Sequence, residues 1–220
     1  MSNTILILGE SGTGKSCSLR TLPPEQTLLI NINNKSLPFR GSKTKYPPLS
    51  PDGLEGNYYT SDDSAKIIRL LKFINENRKD IKYIVLDDFG YTFINSYMRR
   101  AKEKSFDKFL DIGSDAWKVF EEIKLLHDDL FVFVMMHTEI DAHNRYKPKT
   151  VGKLIDNSNV IEGTFDQVFH ALIIDRKYLF LTNNDSVHMA HTSMGLFEDL
   201  YIDNDLKYIA DSITNYNNGE

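Results

Sequence analysis

The segment GESGTGKS, residues 9–16, has the residue types and spacing of a phosphate cradle. Gly9, Gly14, Lys15 and Ser16 fill the four fixed places of the pattern G-x-x-x-x-G-K-[ST]. Glycines let the backbone curl so that successive N–H groups point at phosphate oxygens. A helix expected from about Gly14 to Arg20 would add its N-terminal dipole. Lys15 supplies a compact charge to the outer phosphates, and the Ser16 hydroxyl is a ligand for Mg²⁺. The expected nucleotide-binding run is therefore Gly9, Glu10, Ser11, Gly12, Thr13, Gly14, Lys15, Ser16 and Cys17. An incidental glycine-rich turn would lack the apolar strand TILIL, residues 4–8, that leads into it.

A bound Mg²⁺ needs a carboxylate at the end of a nearby buried strand. YIVLDD offers Asp87 behind four apolar residues, with Asp88 beside it. Asp87 is read as the metal ligand. Asp88 either polarises the attacking water or caps the next helix. His137 ends the apolar run LFVFVMM, which would bring it beside the phosphates if that strand neighbours the Asp87 strand. There it senses the γ-phosphate or positions water, or it is a strand-end histidine satisfied by backbone. The expected catalytic set is Lys15, Asp88 and His137.

Two stretches gather positive charge. MRRAKEKSFDKF holds Arg99, Arg100, Lys102, Lys104 and Lys108 and reads as a solvated helix face, since Glu103 and Asp107 are interleaved. HNRYKPKTVGK follows His137 and holds Arg145, Tyr146, Lys147, Lys149 and Lys153. Cations around an aromatic can track the phosphates of a single strand while stacking a base.

The elements that must position these residues alternate strand and helix. TLLINI, residues 27–32, reads as a second buried strand, and residues 35–56 as a long irregular connection that packs over an edge or meets a partner. Ile67, Leu70, Leu71 and Ile74 mark a helix with Ser61 or Asp62 as its N-cap. Further helices are expected near 90–104, 115–127 and 204–215. FDQVFHALIID, KYLFLT and SVHMAHT are spaced like antiparallel strands. Continuous apolar strands alternating with helices imply one α/β domain over 1–220, mostly a parallel sheet covered on both faces.

Composition agrees and adds exclusions. With 41% hydrophobic and 26% charged residues the chain is an ordinary globular one, not a disordered one. No apolar run approaches the roughly 18–20 residues of a membrane span, and no secretory leader is expected at the start. The lone Cys17 excludes an internal disulfide and suits the cytoplasm. A net charge of −5 makes any nucleic-acid site a local feature.

In this order, phosphate loop, Asp87 strand, His137 strand and basic loop resemble the RecA-like P-loop ATPases. The chain is similar, more narrowly, to the compact phage-encoded ATPases of single-strand annealing and recombination. GESGTGKS matches their phosphate loop, YIVLDD their metal-binding strand, and DAWKVFEEIKLLHDDLFVFVMMHTE their helix and His-ending strand; GTFDQVFHALI and MGLFEDL match C-terminal features. The resemblance implies ATP and Mg²⁺, a homo-oligomer with nucleotide near subunit interfaces, single-stranded DNA as partner and a single-strand-binding protein beside it. It assigns Lys15 and Ser16 to phosphate and Mg²⁺, Asp87 to Mg²⁺, His137 to the γ-phosphate, and the loop after His137 to DNA. Two positions depart from the pattern. Asn33 and Asn34 stand where a catalytic glutamate is usual, so turnover is slow or falls to Asp88 or Glu10. His191 stands where relatives often carry a basic residue that reaches a neighbour's nucleotide. A nucleoside or nucleotide kinase, with 143–153 as a lid, and a nucleotide-binding assembly protein with little hydrolysis are the alternatives.

Overall fold

The computed structural model describes residues 1–151 and 161–219. Among the described residues nine strands form one sheet: β1 (Asn3–Gly9), β2 (Thr27–Asn31), β3 (Tyr58–Tyr59), β4 (Tyr83–Asp87), β5 (Phe131–Ile140), β6 (Tyr146–Pro148), β7 (Gln167–Ile174), β8 (Lys177–Leu181) and β9 (Tyr201–Asp203). Their order is β3-β2-β4-β5-β1-β7-β8-β9, with β6 hairpinned onto the end of β5. The first six of that order run parallel; β8 and β9 add antiparallel. The chain is thus α/β with a mostly parallel, mixed sheet.

Strand parity divides the core into two layers, because successive side chains of a strand face opposite ways. Leu6, Leu8, Leu28, Ile30, Ile84, Leu86, Val132 and Val134 pack with the helices α2 (Ser64–Asn77), α3 (Gly90–Arg99) and α4 (Asp107–Lys124). Ile5, Ile7, Leu29, Val85, Phe133 and Met135 pack on the other face with a 3₁₀ helix, Ser16–Thr21, and the C-terminal helix α5 (Leu206–Asn218). Both faces being covered explains why the strands read as unbroken apolar runs. No helix among the described residues is long and apolar enough to cross a membrane.

Several expectations change. The helix after the cradle is a six-residue 3₁₀ helix, so it contributes little dipole. Leu22, extended ahead of Pro23 and Pro24, stops it there. The N-cap of α2 is Asp63, which accepts from Ala65 and Lys66 N–H, rather than Ser61 or Asp62. α4 starts at Asp107, not near 115, since Ile112 and Ala116 already belong to its buried stripe and outweigh the helix penalty of Gly113. β7 is parallel to β1 and only its far side is antiparallel. SVHMAHT makes isolated bridges at His188 and His191, and the third strand of the extension is β9.

The 35–56 connection covers the β2–β3 edge. It contains a short helix, α1 (Ser42–Lys45), and its backbone bonds to β3 through Leu49 N–H and Tyr58 O. Tyr46 is buried against the second layer.

Candidate functional site

β1 ends at Gly9 directly opposite His137 of β5, and β4 ends at Asp87 on the other side of β5. The chain leaving β1 turns to the 3₁₀ face, while the chain leaving β4 turns to the α3 face. Ligands bind in open α/β sheets where loops part in this way at the carboxyl ends of the strands. A cleft of about 370 Å³ opens there, lined by Ser11, Gly14, Lys15, Ser16, Cys17, Lys35, Asp87, Asp88, His137 and Tyr178 among others.

Two glycines shape the cradle. A Cβ on Gly9 would stand 2.9 Å from the Ala171 carbonyl, so only glycine lets β1 turn beside β7. Gly14 has φ +91 and lies against the Tyr178 ring, 2.8 Å from where its Cβ would be. In the turn at residues 11–12 the Thr13 N–H faces the Glu10 carbonyl, while the backbone amides of Ser11, Gly12, Gly14 and Lys15 donate to no group among the described residues. A run of free amides on a glycine-rich turn fits phosphate.

Lys15 is buried, and its ammonium donates to the carbonyls of Gly9 and Glu10, both at 2.7 Å. Burial lowers its pKa to about 8, against the pull of Asp88 and Asp87. Nζ also lies 3.4 Å from His137 Nδ1, whose Nε2 is 3.1 Å from Asp88 Oδ1. A neutral imidazole donating from Nε2 to Asp88 satisfies both contacts. Asp88 Oδ2 in turn accepts from Lys35 Nζ at 3.1 Å. The groups form a line: Lys15, His137, Asp88, Lys35.

Asp88 sits at φ +61 and gives its carboxylate to His137 and Lys35, with Asn33 Nδ2 at 3.5 Å. It makes no side-chain cap on α3, which has none. Despite burial, bonds from His137 and Lys35 hold its pKa down at about 2. So held, it orients a water better than it removes a proton.

Asp87 continues the parity of Tyr83 and Val85 toward the 3₁₀ face, where Ser16 Oγ donates to its Oδ1 at 2.9 Å. Burial first, then the Asp88 charge, raises its pKa to about 6. The pair fits Mg²⁺: neighbouring ligands of an octahedral ion bound at about 2.0–2.1 Å stand about 2.9 Å apart. Among the described residues no cluster of three or more His, Cys, Asp or Glu could hold a metal by itself. Mg²⁺ needs none, since it is held by one or two carboxylates together with substrate phosphates.

No family model matches the chain, and no curated protein matches it. The site is therefore read from its own geometry.

Of the other sequence candidates, Glu10 is exposed at the rim of an adjoining cleft with Lys35, Tyr91, His137 and Lys149. Cys17 lines the cleft between Lys15 and Asp87. The basic segment after His137 is a β5–β6 hairpin rather than an open loop. Arg145 pairs with Asp141, Lys147 pairs with Glu139, and Lys149 is exposed. The Tyr146 ring stacks on His188 at 4.8 Å and 11°, so its face is taken within the chain. Lys153 lies outside the described residues. In the other basic stretch Arg99 pairs with Asp62, Arg100 with Glu103 and Asp111, and Lys108 is buried over Tyr97. His191 is exposed, with Nε2 3.4 Å from the Phe165 carbonyl.

Two site residues escaped the sequence reading. Lys35 had only its charge as a signal, and its role depends on β2 lying next to β4. Tyr178 had none, because its place over Gly14 follows from β8 folding back on β7.

Proposed function

We propose that this chain is a RecA-like P-loop ATPase of the phage single-strand annealing and recombination type. In this reading it binds ATP with Mg²⁺, assembles as a homo-oligomer and acts on single-stranded DNA in the cytoplasm. What carries the nucleotide assignment is the convergence of Lys15, the Ser16–Asp87 pair and the His137–Asp88 pair on one cleft that has free backbone amides along its floor.

The free amides of Ser11, Gly12, Gly14 and Lys15 and the Lys15 ammonium hold the phosphates, Lys15 exchanging its two carbonyl acceptors for phosphate oxygens. Ser16 and Asp87 would hold Mg²⁺, which would supply charge to offset that developing on the transferred group. Asp88, fixed by His137, orients the water whose oxygen bonds to the γ-phosphorus. The bond to the bridging oxygen breaks and its electron pair stays on ADP. The water's proton passes to the phosphate product, because Asp88 is too weak a base to keep it. Weak base strength at Asp88 and an amide at Asn33 both favour slow turnover.

A second reading, phosphoryl transfer to a small hydroxylated acceptor, draws on one observation. A polar cavity of about 590 Å³ lies beside Asp88, lined by Asn33, Asn34, Ser61, Asp62, Asn95 and Arg99 among others. ATP turnover measured with and without single-stranded DNA, with oligomer mass from the same samples, tests the first reading. Phosphate release stimulated by DNA supports it. ATP-derived phosphate recovered on an added nucleoside or nucleotide instead supports the second, and no ATP binding at all refutes both.

A further inference from the structure

We propose that Lys35 is a second phosphate-facing cation of this site, supplied by the same chain, which leaves Asp88 for the outermost phosphate when a nucleoside triphosphate is bound. This rests on the nucleotide reading of the cleft and adds to it a residue with no role so far.

The placement of Lys35 combines a held backbone with a free side chain. Asn31, buried at the end of β2 and in register with Asp87, clamps both backbone groups of Lys35. Its Nδ2 donates to the Lys35 carbonyl at 2.7 Å, and its Oδ1 accepts from the Lys35 N–H at 3.3 Å. Asn34, at φ +50, makes the turn that brings Lys35 round. Beyond the backbone, the Lys35 side chain is 57% exposed, and its ammonium rests between Asp88 Oδ2 and the face of Tyr91, 5.1 Å from the ring centroid. A four-carbon stem anchored at one end and solvated along its length moves at little cost.

The position is also the right one. Lys35 lines the cleft together with Lys15, Ser16, Asp87, Asp88 and His137. It stands at the opposite end of the Lys15–His137–Asp88 line from Lys15, so the two ammonium groups bracket the acid and the imidazole. Lys149 lines only the adjoining cleft and not the cradle. When Lys35 leaves, Asp88 keeps the His137 N–H as a partner, so no buried carboxylate is orphaned. The same movement frees Asp88 Oδ2 toward the water that attacks. Lys35 forms no covalent bond and moves no proton; it neutralises the oxygens of the phosphoryl group in flight, as cationic clamps do in phosphoryl transfer.

The test compares wild type, Lys35→Met and Lys35→Arg in ATP turnover, in binding of ADP with Mg²⁺, and in binding of ADP with Mg²⁺ and aluminium fluoride, a mimic of the transferred phosphoryl group. Lys35→Met should lower turnover about 100-fold or more. It should weaken the aluminium fluoride complex at least about tenfold and leave ADP affinity within about threefold, because the ammonium reaches only the outer phosphate. Lys35→Arg should recover part of both losses. Turnover and aluminium fluoride binding of Lys35→Met both within about threefold of wild type would overturn the proposal. So would equal loss of ADP and aluminium fluoride complexes, which marks a structural salt bridge. A wild type that binds no nucleotide removes the nucleotide reading and this proposal together, a result visible before any variant is made.

Discussion

Tyr178 stands where a side chain at residue 14 would be: its Cδ1 lies 2.8 Å from the position of a Cβ on Gly14. The C-terminal hairpin therefore forms one wall of a turn made by the first sixteen residues. Gly14→Ala meets two obstacles, this ring and a backbone at φ +91. It should cost about 2–3 kcal/mol of stability. Adding Tyr178→Ala should return about 1 kcal/mol, since it relieves the clash and not the backbone strain. Urea unfolding of the two single variants and the double variant checks the coupling; simple additivity would show that the contact carries nothing.

Lys15→Met should lose ATP affinity by roughly 100-fold, about 3 kcal/mol, the range of a charged hydrogen bond. Its melting temperature should hold or rise, because a buried ammonium is replaced by an apolar chain of similar length. Calorimetric titration alongside thermal unfolding separates the two effects. A loss of binding that tracks a loss of fold would refute the direct role.

Asp87→Asn should separate stability from function. The folded-state pKa of about 6 lies above the ordinary 3.8, so the native protein holds this proton more tightly than the unfolded chain. Above pH 6 the ionised carboxylate is therefore a burden, on the order of 3 kcal/mol. The amide should raise stability at pH 8, narrow that gain below pH 6, and abolish the Mg²⁺ dependence of ATP binding. Unfolding curves at pH 5 and pH 8, with Mg²⁺ titrations, would expose either part as wrong.

His170 gives a pH prediction of the opposite sign. It is buried in β7, its Nδ1 has no partner, and its ring meets Tyr146 at 5.5 Å and His188 at 4.7 Å. Burial, with the His188 and Lys15 charges added, lowers its pKa to about 3, although Asp185 pulls the other way. Between pH 6.5 and 3 the unfolded chain binds a proton here that the folded chain refuses. The stability is present in full above pH 6.5 and drains away as pH falls through that window, by up to roughly 5 kcal/mol. His170→Phe should flatten this part of the profile and move the acid unfolding midpoint to lower pH. An unchanged slope would place the titration elsewhere.

Much of this site was legible because its parts are local. GESGTGKS places glycines, a lysine and a hydroxyl within one turn, and an acid ending an apolar run marks a strand's carboxyl end wherever that strand lies. His137 was legible for the same reason. What the sequence could not express is adjacency: the Lys35–Asp88 contact joins the loop after β2 to the end of β4, and nothing in either segment names the other. The parallel pairing of β7 was missed because its apolar run looks alike in either direction. The stacking of Tyr146 on His188 could not be foreseen, since nothing nearby in sequence points to His188. The early start of α4 was hidden by Gly113, a residue whose local preference packing overrides.

β1 lies inside the sheet, with Asn3–Gly9 paired to Phe131–His137 on one side and Ile5–Leu8 paired to Gln167–His170 on the other. Its cradle is therefore made well before the two strands that complete it. At about 5–20 residues per second, β7 follows β1 only after most of the chain has been translated, a wait of roughly 8–30 s. During that interval a nucleotide bound as proposed would have no site and would lend no stability to the nascent chain. The segment that leads into the cradle is meanwhile an unpaired apolar strand, the kind of surface that chaperones hold.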